Sequence, residues 1–196
     1  MEILLLTSEN FKSVLETTSK VIKEGGVVIA PTDTVYGMIA DATNESAITK
    51  LFEIKNRPTS KSLPIFVQSI EVAKTWASIS PEQELYLKNN WPGKVTTILK
   101  RKNGTKIFGV EPETIALRIP NFPFINSLLE QVQVPLAGTS ANISGKPSLT
   151  KIDEILQQFA DAKILPDLVI NAGNLEESQP STIVDLTQPE HTILRP

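Results

Sequence analysis

GGVVIAPTDTVYG, residues 25–37, is the stretch that decides how the chain is read. Val27-Val28-Ile29-Ala30 is a short apolar run closed by Gly25-Gly26 on one side and Pro31 on the other, which marks a buried strand. Upstream, Phe11, Val14, Leu15, Thr18, Val21 and Ile22 recur at helical spacing after Ser8, and the glycine pair stops that helix. Residues 3–6 form a strand ahead of it. Downstream, Pro31 to Gly37 is a hydroxyl-rich loop leaving the buried strand.

The same alternation continues to the last residue. A helix is expected over 46–54, with Ala47, Ile48, Leu51 and Phe52 inward, then a strand over 63–67. Ser80-Pro81 starts another helix, Ser at the N-cap and Pro at the first helical position. Trp91-Pro92-Gly93 breaks the chain before a strand over 95–99. A strand over 115–119 and a helix over 122–132 follow. Pro135-Leu136-Ala137 leads into Gly138-Thr139-Ser140-Ala141-Asn142. A helix over 150–160 carries Ile152, Ile155, Leu156 and Phe159 on one face. Strands at 168–170, 182–185 and 192–194 complete the pattern, which is that of an α/β protein. No repeat or linker interrupts it, so one domain over 1–196 is expected.

Composition excludes several chemistries. There is no cysteine and a single histidine, His191, so thiolate catalysis and multi-histidine metal sites are ruled out. His191 is assigned no role, and Trp76 and Trp91 are expected to pack rather than stack on ligands. The net charge of −3 argues against a chain built to bind nucleic acid. Its densest basic run, Lys100-Arg101-Lys102 beside Asn103-Gly104, reads as a solvated turn. The N-terminus lacks the form of a signal peptide and no apolar run reaches the ~20 residues of a membrane span. A cytoplasmic protein is expected.

Three polar segments stand where strands end, the place at which open α/β sheets gather ligands. In the first, Thr32, Thr34 and Tyr36 with Asp33 could hold a small polar ligand, or simply cap a turn. In the second, Lys55-Asn56-Arg57-Pro58, Pro58 pushes Arg57 towards extended geometry. Extended residues two apart share a side, so Lys55 and Arg57 would reach one anion, with Lys61 close by. A solvated helix end is the alternative. In the third, Gly138 to Gly145, Ser140 and Asn142 again stand two apart, and the backbone could form an anion-binding nest or be only a loop. Arg118, ending a strand before Pro120, could face a cleft.

Taken in order, PTDTVYG (31–37), KNRP (55–58), LRIP (117–120), TSANISGKPS (139–148), PSTIVD (180–185) and ILRP (193–196) resemble the YrdC-like threonylcarbamoyl-AMP synthase family. The resemblance implies an open, twisted mixed α/β sheet flanked by helices, with a concave, positively charged cleft. It implies a nucleotidyltransferase that turns L-threonine, bicarbonate and ATP, with Mg²⁺ on the phosphates, into threonylcarbamoyl-AMP and pyrophosphate. The partners implied are the proteins that transfer the threonylcarbamoyl group to tRNA, and tRNA itself. The family's catalytic pairs fall on Lys55 and Arg57 and on Ser140 and Asn142. ATP contacts fall on Arg57, Lys61, Thr114, Ser140, Ser148 and Arg195. Threonine contacts fall on Thr34, Arg118, the Gly138 backbone and Ser181; no metal ligand is implied. Long members carry a histidine where this chain has Phe66 or a neighbour. The chain also shows neither the linker nor the second domain of those members, so the short, single-domain (TsaC-type) form is expected. A same-fold paralogue with another nucleotide or carbamoyl substrate, and an RNA-binding module, are the alternatives.

Overall fold

In the computed structural model, which describes residues 1–196, β1 (Glu2–Leu5) leads to α1 (Phe11–Lys23) and then to β2 (Val28–Ala30), the strand bracketed by glycine and proline. The hydroxyl-rich loop turns back into β3 (Gly37–Asp41), followed by α2 (Glu45–Lys55) and β4 (Ile65–Phe66). Next come α3 (Ile70–Trp76), β5 (Ala77–Ser78), α4 (Pro81–Asn90), β6 (Val95–Arg101) and β7 (Thr114–Arg118). The chain finishes with α5 (Pro123–Val132), β8 (Leu136–Ser140), α6 (Ile152–Phe159), β9 (Leu168–Asn171), β10 (Thr182–Asp185) and β11 (Thr192–Arg195).

Helix starts follow side-chain chemistry. Asn44 Oδ1 accepts from the Ala47 N–H at 3.2 Å to cap α2. Ser80 and Gln83 form the reciprocal box that the Ser-Pro start of α4 invites. Four elements escape the sequence reading: β3, α3, β5 and β8. Helix α3 and strand β5 are too short to show a period. Strand β8 carries Gly138, Thr139 and Ser140, residues that read as loop, yet β3 and β4 hydrogen-bond it from both sides and override propensity.

All strands join one mixed sheet in the order β1-β9-β2-β3-β8-β4-β7-β6-β10-β11, with β5 pairing the far end of β6. Side-chain alternation sorts the apolar residues into two cores. Ile29, Met38, Ala40, Ile65, Leu99, Ile115, Leu117, Ala137 and Val169 face one side, where α2 and α6 cover the sheet. Val28, Ala30, Ile39, Leu136, Leu168 and Ile170 face the other, under α1 and α5. Those two helices meet through an edge-to-face contact of Phe11 and Phe124, ring centroids 5.7 Å apart. Their core draws its strand residues from β9, β2, β3, β8 and Phe66 of β4 and goes no further. Across β7, β6 and β10 that face of the sheet is left open.

Arg101 is not part of a merely solvated turn: its guanidinium donates to Thr105 Oγ1 and to the carbonyls of Thr105, Ile107 and Glu111, pinning the loop before β7. Trp91 is buried as expected and donates Nε1–H to the Val95 carbonyl at 2.7 Å. His191 precedes β11 and stands edge-on to Tyr86, ring centroids 4.9 Å apart.

Candidate active site on the open half of the sheet

The uncovered face forms the floor of a cleft of about 230 Å³. Alternation selects the floor residues: Thr96 and Ile98 from β6, Ala116 and Arg118 from β7, and Ile183 from β10. One wall is built from Phe66, Gly138 and Ser140, with Thr32 and Thr34 from the loop between β2 and β3. Arg57, Ser181 and Arg195 complete the lining. The ionisable side chains of the lining are three arginines, and none is a carboxylate.

Each arginine is tethered in the same way. Arg57 donates Nε–H to the Lys61 carbonyl at 3.1 Å and Nη2–H to the Ser62 carbonyl at 2.9 Å. Arg118 donates Nε–H to the Gly93 carbonyl at 2.9 Å and Nη2–H to Asp33 Oδ1 at 2.7 Å. Arg195 donates from Nε and Nη2 to the Ser181 carbonyl at 3.0 and 2.7 Å. In all three, Nη1 has no protein partner. Burial lowers each guanidinium from its ordinary value; at Arg118 the Asp33 carboxylate opposes that and Arg195 adds to it. A guanidinium stays charged under such shifts, so three oriented cations remain for an anionic ligand.

Lys55 takes a different place from the expected one. It is the last residue of α2, and Asn56 follows with φ 48° and ψ 48°, the left-handed conformation that asparagine accepts at a helix C-terminus. That turn separates Lys55 from Arg57, so the two do not share a side. Lys55 is 2% exposed and donates to the Ser140 carbonyl at 2.6 Å and to the carbonyl and Oδ1 of Asn142, both at 2.9 Å. Asn142 is turned inward too, accepting from Ser140 Oγ and donating Nδ2–H to the carbonyls of Ile143 and Lys146. Neither residue lines the cleft. Both hold the chain segment that presents Ser140 to it.

Burial, with the Arg57 charge adding, draws the Lys55 ammonium from the usual lysine range down to about 7. A pKa depressed on folding gives stability that is complete above the unfolded value, ~10.4, and lost as pH falls towards 7. The folding constant of the protein relative to Lys55→Met is therefore expected to rise between pH 7 and 9, by up to about tenfold per pH unit. Urea titrations at pH 7, 8 and 9 measure it, and a difference that does not change with pH would contradict the assignment.

Of the residues chosen from the sequence, Thr34, Arg57, Arg118, Gly138, Ser140, Ser181 and Arg195 meet in the cleft. Lys61 is exposed on the turn that its own carbonyl closes around Arg57; Thr114 opens β7 opposite Lys100; Ser148 is half-buried beyond Gly145. None of these three lines the cleft. The Tyr36 hydroxyl is committed elsewhere, donating to the Gly173 carbonyl at 2.7 Å and accepting from the Ala172 N–H at 3.0 Å. Thr32 Oγ1 donates to the Val35 carbonyl at 2.6 Å, so Thr32 caps the turn, whereas Tyr36 ties the loop to the segment after β9 and does neither of the two things expected of it. Sequence reasoning missed Thr96 as a lining residue and marked Phe66 only as the place of a histidine in long relatives. Thr96 Oγ1 lies 2.8 Å from Ser181 Oγ, and its only sequence signal is its alternation with buried Thr97.

Comparison with known proteins gives a consistent result. Residues 20–196 match a protein-family model, Sua5/YciO/YrdC, described as "Telomere recombination". A relative from Methanocaldococcus jannaschii is 40% identical over 183 residues, 92% of this chain and 84% of that protein. The threonylcarbamoyl-AMP synthase of Pyrococcus abyssi is 36% identical over 177 residues, 89% of this chain and 51% of its own, so this chain spans about half of that relative. Among solved structures, P. abyssi Sua5 complexed with L-threonine superposes with a TM-score of 0.86 at 33% identity, covering 100% of this chain and 56% of that one. Escherichia coli YciO superposes at 0.85 and 23% identity, covering 99% of this chain and 93% of its own, a likeness of fold. The mixed sheet, the cleft on its open half and the matched span agree: this chain belongs to the Sua5/YciO/YrdC family.

Proposed function

We propose that this protein is a threonylcarbamoyl-AMP synthase, which joins L-threonine, bicarbonate and ATP into threonylcarbamoyl-AMP with release of pyrophosphate and water. One observation carries the reading: three arginines with an unpartnered Nη1 each converge on a cleft that has no lining carboxylate. The names of the relatives support it. The chemistry suits a chain without cysteine. The threonine amine takes up the carboxyl group of bicarbonate, a carbamate oxygen attacks the α-phosphorus, and the α–β bridging oxygen leaves with pyrophosphate. These steps need anions held together and charge neutralised as it develops, not a protein nucleophile.

Arg57 and Arg195 would hold the phosphates, with the Ser140 hydroxyl beside them; Lys61, Thr114 and Ser148 would act from outside the cleft lining as it stands. Arg118, Thr34, Ser181 and the Gly138 backbone would receive threonine. Lys55 and Asn142 would act through the Ser140 segment. Mg²⁺ would ride on the phosphates, because the cleft lining offers it no carboxylate. The product would pass to proteins that transfer the threonylcarbamoyl group to tRNA, in the cytoplasm, with residues 1–196 working as one domain. No helix is long and apolar enough to cross a membrane.

The test is pyrophosphate release from ATP with bicarbonate and Mg²⁺, run with L-threonine, with L-serine and with neither, the adduct followed by mass spectrometry. Threonine-dependent release is expected, and Arg57→Ala should lower it by about 10²-fold or more. ATP binding without release under any amino acid would overturn the reading in favour of a paralogue with another substrate.

A further inference from the structure

The arginines of the cleft are not electrically equivalent. Arg57 and Arg195 are tethered to neutral carbonyl and hydroxyl oxygens, so their charges are uncompensated. Arg118 is paired with a carboxylate. Asp33, in the loop between β2 and β3, accepts from Arg118 Nη2–H with Oδ1 at 2.7 Å and from the Asn121 backbone N–H with Oδ2 at 3.0 Å. Both side chains are nearly dry, 9% and 4% exposed. With Nε held by the Gly93 carbonyl, the guanidinium can neither rotate nor slide, and one nitrogen, Nη1, remains for a ligand.

We propose that Asp33 is a positioning and selectivity residue for the amino-acid end of the cleft. It locks Arg118 so that Nη1 meets one substrate carboxylate oxygen, and it cancels the arginine's charge so that phosphate is not drawn to the same place. This rests on the reading above that Arg118 receives the amino acid. A desolvated guanidinium without a counter-charge attracts a multiply charged phosphate more strongly than a zwitterion of zero net charge. With Asp33 in place Arg118 carries little net charge, while Arg57 and Arg195, which have no carboxylate partner, keep their attraction for phosphate. The two substrates are thereby sorted by charge between Arg118 and the other two arginines.

The experiment is steady-state kinetics of Asp33→Asn, which is nearly isosteric and retains an acceptor for Asn121, alongside Arg118→Gln. In Asp33→Asn the KM for threonine is expected to rise about tenfold or more, with kcat at saturating threonine within about threefold. Inorganic phosphate should compete with threonine in Asp33→Asn and not in the unaltered protein. A structural defect alone would lower kcat and create no new inhibition. If Arg118→Gln leaves the threonine KM unchanged, the amino-acid reading of Arg118 fails and the proposal with it. If Arg118→Gln raises KM while Asp33→Asn changes neither KM nor phosphate inhibition, the role of Asp33 alone is refuted. Should Asp33→Asn not fold, Asp33→Asn/Arg118→Gln removes both buried charges together. Its threonine KM should equal that of Arg118→Gln, and a further rise would overturn the proposal.

Discussion

Lys55→Met should abolish nearly all threonine-dependent turnover, by about 10²-fold or more, and cost ~2–4 kcal/mol of stability. Methionine fills most of the volume but donates nothing. The carbonyls of Ser140 and Asn142 and Asn142 Oδ1 would each lose the donor that now lies within 2.9 Å. The Ser140 carbonyl keeps the Asn142 N–H and Asn142 Oδ1 keeps the Ser140 hydroxyl, but the Asn142 carbonyl, on a buried residue, is left without a donor. The segment Ser140–Asn142 would then relax, carrying Ser140 away from the cleft. The site keeps its three arginines in this variant, which separates the result from a loss of positive charge. Nucleotide binding measured by calorimetry is expected to fall less than kcat. Turnover close to that of the unaltered protein would show that Lys55 neither touches the reaction nor shapes its site.

The second large effect belongs to Gly138. A methyl group there would sit 2.5 Å from Cε2 and Cζ of Phe66, closer than any tolerated carbon contact. Phe66 is on β4, hydrogen-bonded beside β8 with Ile65 opposite Ala137, so neither backbone can retreat alone. Its ring also lies 6.0 Å from the Arg118 guanidinium, and turning it would disturb the arginine. Gly138→Ala is expected to lose ~1–3 kcal/mol and to raise the threonine KM at least about tenfold. Phe66→Leu placed in the same chain should recover most of both losses. An active, fully stable Gly138→Ala single variant would mean that the β4–β8 contact is looser than described. The position matters because long relatives are expected to carry histidine near Phe66; here an aromatic hydrocarbon forms that wall.

Much of the site is legible in the sequence because loops at strand ends keep their chemistry in view. Thr34, Arg57, Arg118, Ser140, Ser181 and Arg195 can each be chosen from a motif, and the structure gathers them in one cleft. What misleads is the geometry between neighbours. Pro58 restrains Arg57, but it says nothing of Asn56, whose left-handed turn sends Lys55 behind the site. The hydroxyl-rich run at 138–140 reads as a loop because glycine and serine have poor strand propensity, and only its pairing with β3 makes it part of β8. Asp33 was visible as a carboxylate, but its partner stands 85 residues away in sequence. No local pattern announces such a pairing. The fold class was easier: buried apolar runs alternating with amphipathic helices determine it without any knowledge of strand order.

Strand β11 gives Arg195 to the cleft, and it does so from the rim of the sheet. It pairs with β10 alone, all four of its residues are exposed, and the register shifts between Ile183 and Val184. A ribbon zipped along one side opens at a smaller free-energy cost than one zipped along two. An opening there would carry Arg195 away from the cleft. On the proposal that Arg195 holds phosphate, a nucleotide engaging it would be bound only while the ribbon is shut, so its affinity would contain the work of closing. Capture and release of the phosphates would then share one coordinate, the fastening and unfastening of β11 on β10.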